Sequence, residues 1–299
     1  MYKYMTVGVA PAFAKTLKVR FTQPSELNDP FEFRPLIDSE RTAEEFRELI
    51  DARVTEMFGT VDGALSITEK RQASDPNYPS LAVPIRVFRR MIATNPGLGQ
   101  KFMAEMQRHK TELLDSMTKG ALWEVLWEKL QQALGQSVGI FSLSEDPAHI
   151  LMWSHYASQH SGIVVEFDEN DRWFDQRITP NDELRHLARV ACVQNPIPRT
   201  WTELNGADIL YTKSAEWAYE REWRIIRPLK DGTEVSPGKF CFDVSASAVR
   251  RIIFGCRTTP ELEGEVRTSV AANPNLTHVN FTQVTLVAGG KIKVGDACS

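Results

Sequence analysis

A chain of 299 residues, 42% hydrophobic and 25% charged, has the composition of an ordinary globular protein, enough for one large domain or a domain with a sizeable insertion. Its formal net charge of −4 argues against a broad nucleic-acid footprint, though not against a local one. No run approaches the ~20 apolar residues of a membrane span, the start lacks a signal-peptide core, and four cysteines without a CxxC pair suggest neither a disulfide framework nor a metal site. The expectation is a soluble protein of the reducing cytoplasm.

Tyr2-Lys3-Tyr4 and the alternating Leu17–Phe21 are strand-like, with a Gly/Ala/Pro stretch between them that can hold a short turn or helix. Pro24 and Pro30, with Asn28-Asp29 between, predict a structured loop that ends in NDPFE. From Ser39 the character changes. Phe46, Leu49, Ile50, Val54, Met57 and Phe58 fall at helical spacing, residues 74–84 break the pattern with three prolines, and 85–91 and 101–114 are helical again. Leu122, Trp123, Leu126, Trp127, Leu130 and Leu134 then form one apolar stripe, read as core. These residues predict a helical insertion over 39–135, between two parts of a core domain at 1–38 and 136–299.

From Gly139 the chain is β-rich. Residues 139–144, with the FSLS run, alternate as a strand, and Glu145-Asp146-Pro147 predicts the start of a short helix carrying His149, Trp153, His155 and Tyr156. Strands are expected at 163–167, 188–194, 239–244, 250–254 and 277–287, with a helix at 260–271. Cys192 and Cys241 sit in apolar strand-like runs, where free cysteine acts as a small hydrophobe. The fold class expected is α+β, with a split, mostly antiparallel sheet.

The densest chemistry lies in Lys213–Arg227, KSAEWAYEREWRIIR. If its second half is a strand, Tyr219, Arg221, Trp223 and Ile225 share one face, and Glu220, Glu222, Arg224 and Ile226 the other. Successive members of a face are about 7 Å apart. Such a row is either an edge strand with a surface ion-pair ladder or a polar site built on a sheet, since charges are rarely buried unless paired or used. Arg224 could hold a phosphate or simply neutralise Glu222. His155 and His160 are five apart, not at the i, i+4 spacing of a helical metal motif, so no metal is expected; His160 could cap its helix. Rossmann, P-loop and nucleophile-elbow signatures are absent.

The order YKY, NDPFE, FSLS, WSHYA and K…W.YE.EWR resembles a bacterial family of unknown function related to the AbiGi proteins of abortive phage-resistance loci. More distantly it is similar to ADP-ribosyltransferases. That resemblance implies an NAD-using transferase acting on a protein or nucleic-acid acceptor, plausible as a phage-defence or toxin effector with an antitoxin or other regulatory partner. It implies that Glu222 holds the NAD ribose and Glu220 orients or deprotonates the acceptor, and that Tyr4, next to Lys3, belongs to the catalytic set. Ser142 or Ser144 stands at the family's serine position and Lys3 at its basic position, where that family has Arg. Asn28, Asp29, His155, Tyr156 and Arg224 complete the implied cofactor-binding set. A non-catalytic nucleotide- or protein-binding module and a nucleic-acid processing enzyme are the alternatives.

Overall fold

The computed structural model describes residues 1–29, 31–60, 63, 66, 70, 85–118, 121–289 and 291–295. The proline-broken stretch expected at 74–84 lies outside the described residues, as do the side chains of Leu122, Trp123 and Leu126. The chain divides into two compact units, 1–35 with 129–197 and 204–299, and 36–128 with 198–203. The second unit therefore takes a short return segment, 198–203, that the sequence reading left in the core domain.

The first unit is built on an eight-stranded sheet. Its order is β13 (Lys291–Val294), β12 (Asn280–Val287), β11 (Val249–Phe254), β4 (Ile163–Phe167), β1 (Tyr2–Met5), β3 (Val138–Ser144), β8 (Glu222–Pro228) and β5 (Ala188–Arg189). Every neighbouring pair is antiparallel except β11 with β12. Mixed α/β structure with a large, mostly antiparallel sheet thus matches the expected class. A smaller sheet of β2 (Lys18–Phe21), β10 (Lys239–Asp243) and β9 (Thr233–Ser236) and a two-stranded pair of β6 (Ala191–Val193) and β7 (Thr212–Ser214) accompany it.

The central strands are rich in β-branched and aromatic side chains, which suit a pleated surface packed on both faces. One face buries Phe13, Phe21, Phe141, Phe167, Phe174, Ile225 and Phe254, together with Val266 and Val270 of the helix Pro260–Ala271. On the other face Tyr4, Trp153, Val164 and Ile253 form one apolar cluster, and Val138, Ile140, Ile226, Phe33 and Leu210 a second. Between these two clusters the same face carries the polar residues Ser142, Ser144, Glu222 and Arg224.

The sheet is open at that point. β1 meets β3 at one register position, Tyr2 opposite Ser144. The other end of β3 is bridged to β2, with Ile140 and Thr22 exchanging two 2.8 Å backbone hydrogen bonds. β2 reaches this close because residue 139 is glycine: a Cβ there would lie 2.7 Å from Phe21 Cβ and 2.8 Å from Leu229 Cδ2. Between the two contacts β1 and β2 diverge from residues 141–143 of β3, and a cavity fills the gap.

Three local expectations need correction. The strand expected across 188–194 is two short strands, because Val190 is buried between them and its N–H donates to Glu222 O at 2.9 Å. Cys192 is consequently exposed and Cys241 only half-buried, so neither is a core hydrophobe. Residues 145–149 form an Asx-type loop, with Asp146 Oδ1 accepting from Ala148 N, and the helix begins only at Ile150.

The second unit is helical. Its helix Ser39–Phe58 is capped by Asp38, whose Oδ1 accepts from Arg41 N at 3.0 Å. Residues 85–94 and 96–118 are helices whose Phe88 and Phe102 rings meet edge to face, 5.4 Å apart. Trp201 of the return segment packs edge to face on Trp127, and Glu203 pairs with Arg41 at 2.7 Å. Among the described residues no helix is long and apolar enough to cross a membrane.

Candidate active site

The residue that begins the dense stretch proves central. Lys213, the middle residue of β7, is buried, and its ammonium donates to Glu220 Oε2 at 2.6 Å and Glu222 Oε2 at 3.0 Å. Glu32 Oε1 lies 3.9 Å away, and the Trp217 ring stands 4.9 Å from the same nitrogen. Although burial draws the ammonium down, the charges of Glu222 and Glu220 prevail and hold it above its ordinary value.

Glu220 and Glu222 reach this ammonium by a route that strand alternation did not foresee. Residues Ala215–Glu220 form a 3-10 helix whose start is capped by Ser214, and Arg221 turns the chain in the left-handed region at φ 45°. The strand begins only at Glu222. Tyr219 and Arg221 therefore do not share a strand face with Trp223, and Glu220 arrives from a turn. The two carboxylates still converge, with relative exposures of 4% and 6%. Glu220 also accepts from the Tyr156 hydroxyl at 2.5 Å, and Ser144 Oγ donates to its backbone carbonyl at 2.7 Å.

Arg224 closes the cluster from behind. It is fully buried, with Nε on Glu222 Oε1 at 2.7 Å, Nη2 on Glu222 Oε2 at 3.0 Å and on Glu32, and Nη1 on Leu210 O at 2.9 Å. Burial draws its guanidinium down to about 9, still far above neutral pH, so it remains a cation. Of the two roles open to Arg224, this geometry is neutralisation: its donors are committed to carboxylates and a carbonyl, and the side chain does not line the cavity. Glu222 is pushed up by burial, against the opposing pull of Lys213 and of a hydrogen bond from Ser142.

The cavity beside the cluster has a volume of about 450 Å³, within the range of small-molecule sites. Lys3, Tyr4, Asn28, Asp29, Ser142, Ser144, His155, Tyr156, Glu220 and Glu222 all contribute to its lining. Lys3 donates to Ser142 O at 2.8 Å, in the opened stretch of β3, and sits 4.7 Å from the Phe141 ring centroid. Burial draws its ammonium down to about 8. The Tyr4 hydroxyl donates to Asp146 O at 2.6 Å, its ring packs edge to face on Trp153, and burial raises its phenol. Asp29 Oδ1 accepts from Phe31 N at 2.8 Å and so shapes the loop that brings Glu32 in. His160 supports the helix end rather than the cavity: its N–H donates to Trp153 O and its ring stacks on Trp153.

Chemically, the floor holds four buried carboxylates, Asp29, Glu32, Glu220 and Glu222, against Lys213 and Arg224 with Lys3 close by. Toward solvent the lining holds half-exposed Lys18, paired with Asp243 at 3.3 Å, and exposed Arg20, paired with Glu26 of the same lining. Sequence reasoning gave no role to Lys213 and Glu32. The signal available was their place at the head of KSAEWAYEREWR and the tail of NDPFE, two stretches dense in charged side chains. Among the described residues no group of three His, Cys, Asp or Glu is arranged to hold a metal ion.

A family model described as a protein of unknown function, DUF2971, matches residues 152–225. The match runs from the helix bearing His155 and Tyr156 through β4 to Ile225, and so includes Lys213, Glu220, Glu222 and Arg224. No curated protein and no solved structure matches the chain.

Proposed function

We propose that the cavity in the split sheet is an NAD site and that the protein is an ADP-ribosyltransferase-like enzyme, acting on a protein or nucleic-acid acceptor as a phage-defence or toxin effector. The observation that carries this reading is the gap between β1 and β3, with the buried Glu220–Glu222 pair on its wall. The lining supports it by its polarity. The cationic nicotinamide riboside suits the carboxylate floor, and Lys18 and Arg20 at the rim could exchange Asp243 and Glu26 for pyrophosphate.

In the reaction, the C1′–N bond to nicotinamide breaks with its electron pair leaving on nicotinamide, and positive charge grows on the ribose. A carboxylate fixed in a water-poor site stabilises that charge, an effect typically worth a few kcal/mol. Glu222 is held rigidly for this role by Arg224 and Lys213. The acceptor nucleophile then bonds to C1′ and loses its proton to Glu220, one oxygen of which is held by Tyr156 and the other by Lys213.

A second reading, a binding module without turnover, is favoured by the saturation of Glu222: Arg224 occupies both its oxygens, and Lys213 shares one. Incubation with labelled NAD, plus RNA, DNA and cell extract, separates the two. The first reading expects nicotinamide release or label transfer that falls at least 100-fold in Glu222→Gln, with the melting temperature kept. Ligand binding by calorimetry without any release under these conditions supports the second.

A further inference from the structure

We infer that Lys213 is a positioning residue that bridges the Glu220–Glu222 pair on the cavity floor and draws it toward the ionised state. The argument rests on how the cations around the pair are committed. Arg224 of β8 is engaged by Glu222, Glu32 and the Leu210 carbonyl, and it makes no contact with Glu220. Lys3 of β1 has its ammonium on Ser142 O. The charge in contact with Glu220 is Lys213, at 2.6 Å, and the same nitrogen bridges to Glu222 at 3.0 Å.

The remaining groups facing the pair are acids or neutral. Asp29 and Glu32 come from the loop over 28–32, Tyr156 donates from its helix, and the Cys192 thiol of β6 is near enough to feel both carboxylates. Two carboxylates that share a buried site without a bridging cation cannot both stay ionised near neutral pH, and one proton joins the pair. Lys213 opposes this by geometry, since one ammonium touches both groups. Its ammonium is itself held above its ordinary value, so the bridge stays charged throughout the neutral range.

This assignment deepens the proposed transferase reading, because only a doubly ionised pair offers one carboxylate for ribose charge and another for the acceptor proton. The test does not depend on that reading. In protein labelled with ¹³C at glutamate side chains, Lys213→Met is expected to raise the titration of one glutamate carboxyl by about 2 units relative to the wild type. Lys213→Arg, which keeps the charge, is expected to restore the wild-type titration. Should the methionine variant not fold, Lys213→Gln removes the charge while keeping a donor and supplies the same readout. A charge-removed variant whose glutamates titrate as in the wild type overturns the inference. If the titration appears yet the wild type never releases nicotinamide from NAD, the role of Lys213 stands and the transferase reading falls. If the wild type releases nicotinamide and charge removal leaves both titration and pH profile unmoved, the reverse holds.

Discussion

Arg224 and Arg227 stand three residues apart on β8, both buried, on opposite faces of one strand. Arg224 meets Glu222, Glu32 and a backbone carbonyl. Arg227 meets no carboxylate within ion-pair distance among the described residues. Its guanidinium lies 4.5 Å from the Trp173 ring centroid and within 6 Å of Phe21 and Phe242, and it donates to Trp173 O. Its Nε has no partner among the described residues. Both arginines thus lose water, and each face compensates differently: one with charges, the other with π-faces. The aromatic solution completes a core and leaves nothing for a ligand. The carboxylate solution gathers more acids than Arg224 can satisfy, and the surplus faces the cavity.

The sharpest way to break this contrast is Arg224→Met. It strands Glu222 and Glu32 as buried charges, and a loss of about 3–5 kcal/mol in urea unfolding is expected, the usual cost of removing one partner of a buried pair. A loss below about 1 kcal/mol would show that these acids reach water in solution.

Lys3 gives an intermediate effect, read through pH. Its folded value is drawn from 10.5 to about 8, so between these limits the unfolded chain binds a proton that the folded one does not. Stability attributable to this group therefore rises with pH from about 8 to about 10.5, by roughly 1–3 kcal/mol. Lys3→Met is expected to flatten that rise in denaturation curves taken across this window.

The smallest effect is expected at Arg227→Met. No partner charge is stranded, and a similar volume is refilled, so only the contacts to Trp173 and its carbonyl are lost, about 1–2 kcal/mol by thermal unfolding. If Arg227→Met costs as much as Arg224→Met, the two faces do not differ in kind.

Some of this is legible in the sequence. The alternation of Glu222, Arg224 and Ile226 on one strand face holds, because period-two geometry is a local property of extended backbone. The structured NDPFE loop holds for the same reason, as Asp29 folds onto Phe31 N two residues on. Strand logic failed at Glu220, where a Ser214-capped 3-10 turn and a left-handed Arg221 intervene. The split at 190 was hidden as well, since ARVACVQ reads as one run until Val190 pairs with Glu222 O.

The sequence by itself determined which side chains are charged, which runs are extended, and that the acids of 220 and 222 fall close together. Tertiary structure alone decided that Lys213 bridges them, that Glu32, 192 residues from Arg224 in the chain, shares its guanidinium, and that β1 parts from β3 to open a cavity there. The physical reason is range. Backbone periodicity and turn chemistry act over a few residues, whereas a buried charge must find its counter-ion wherever the fold brings one within about 4 Å.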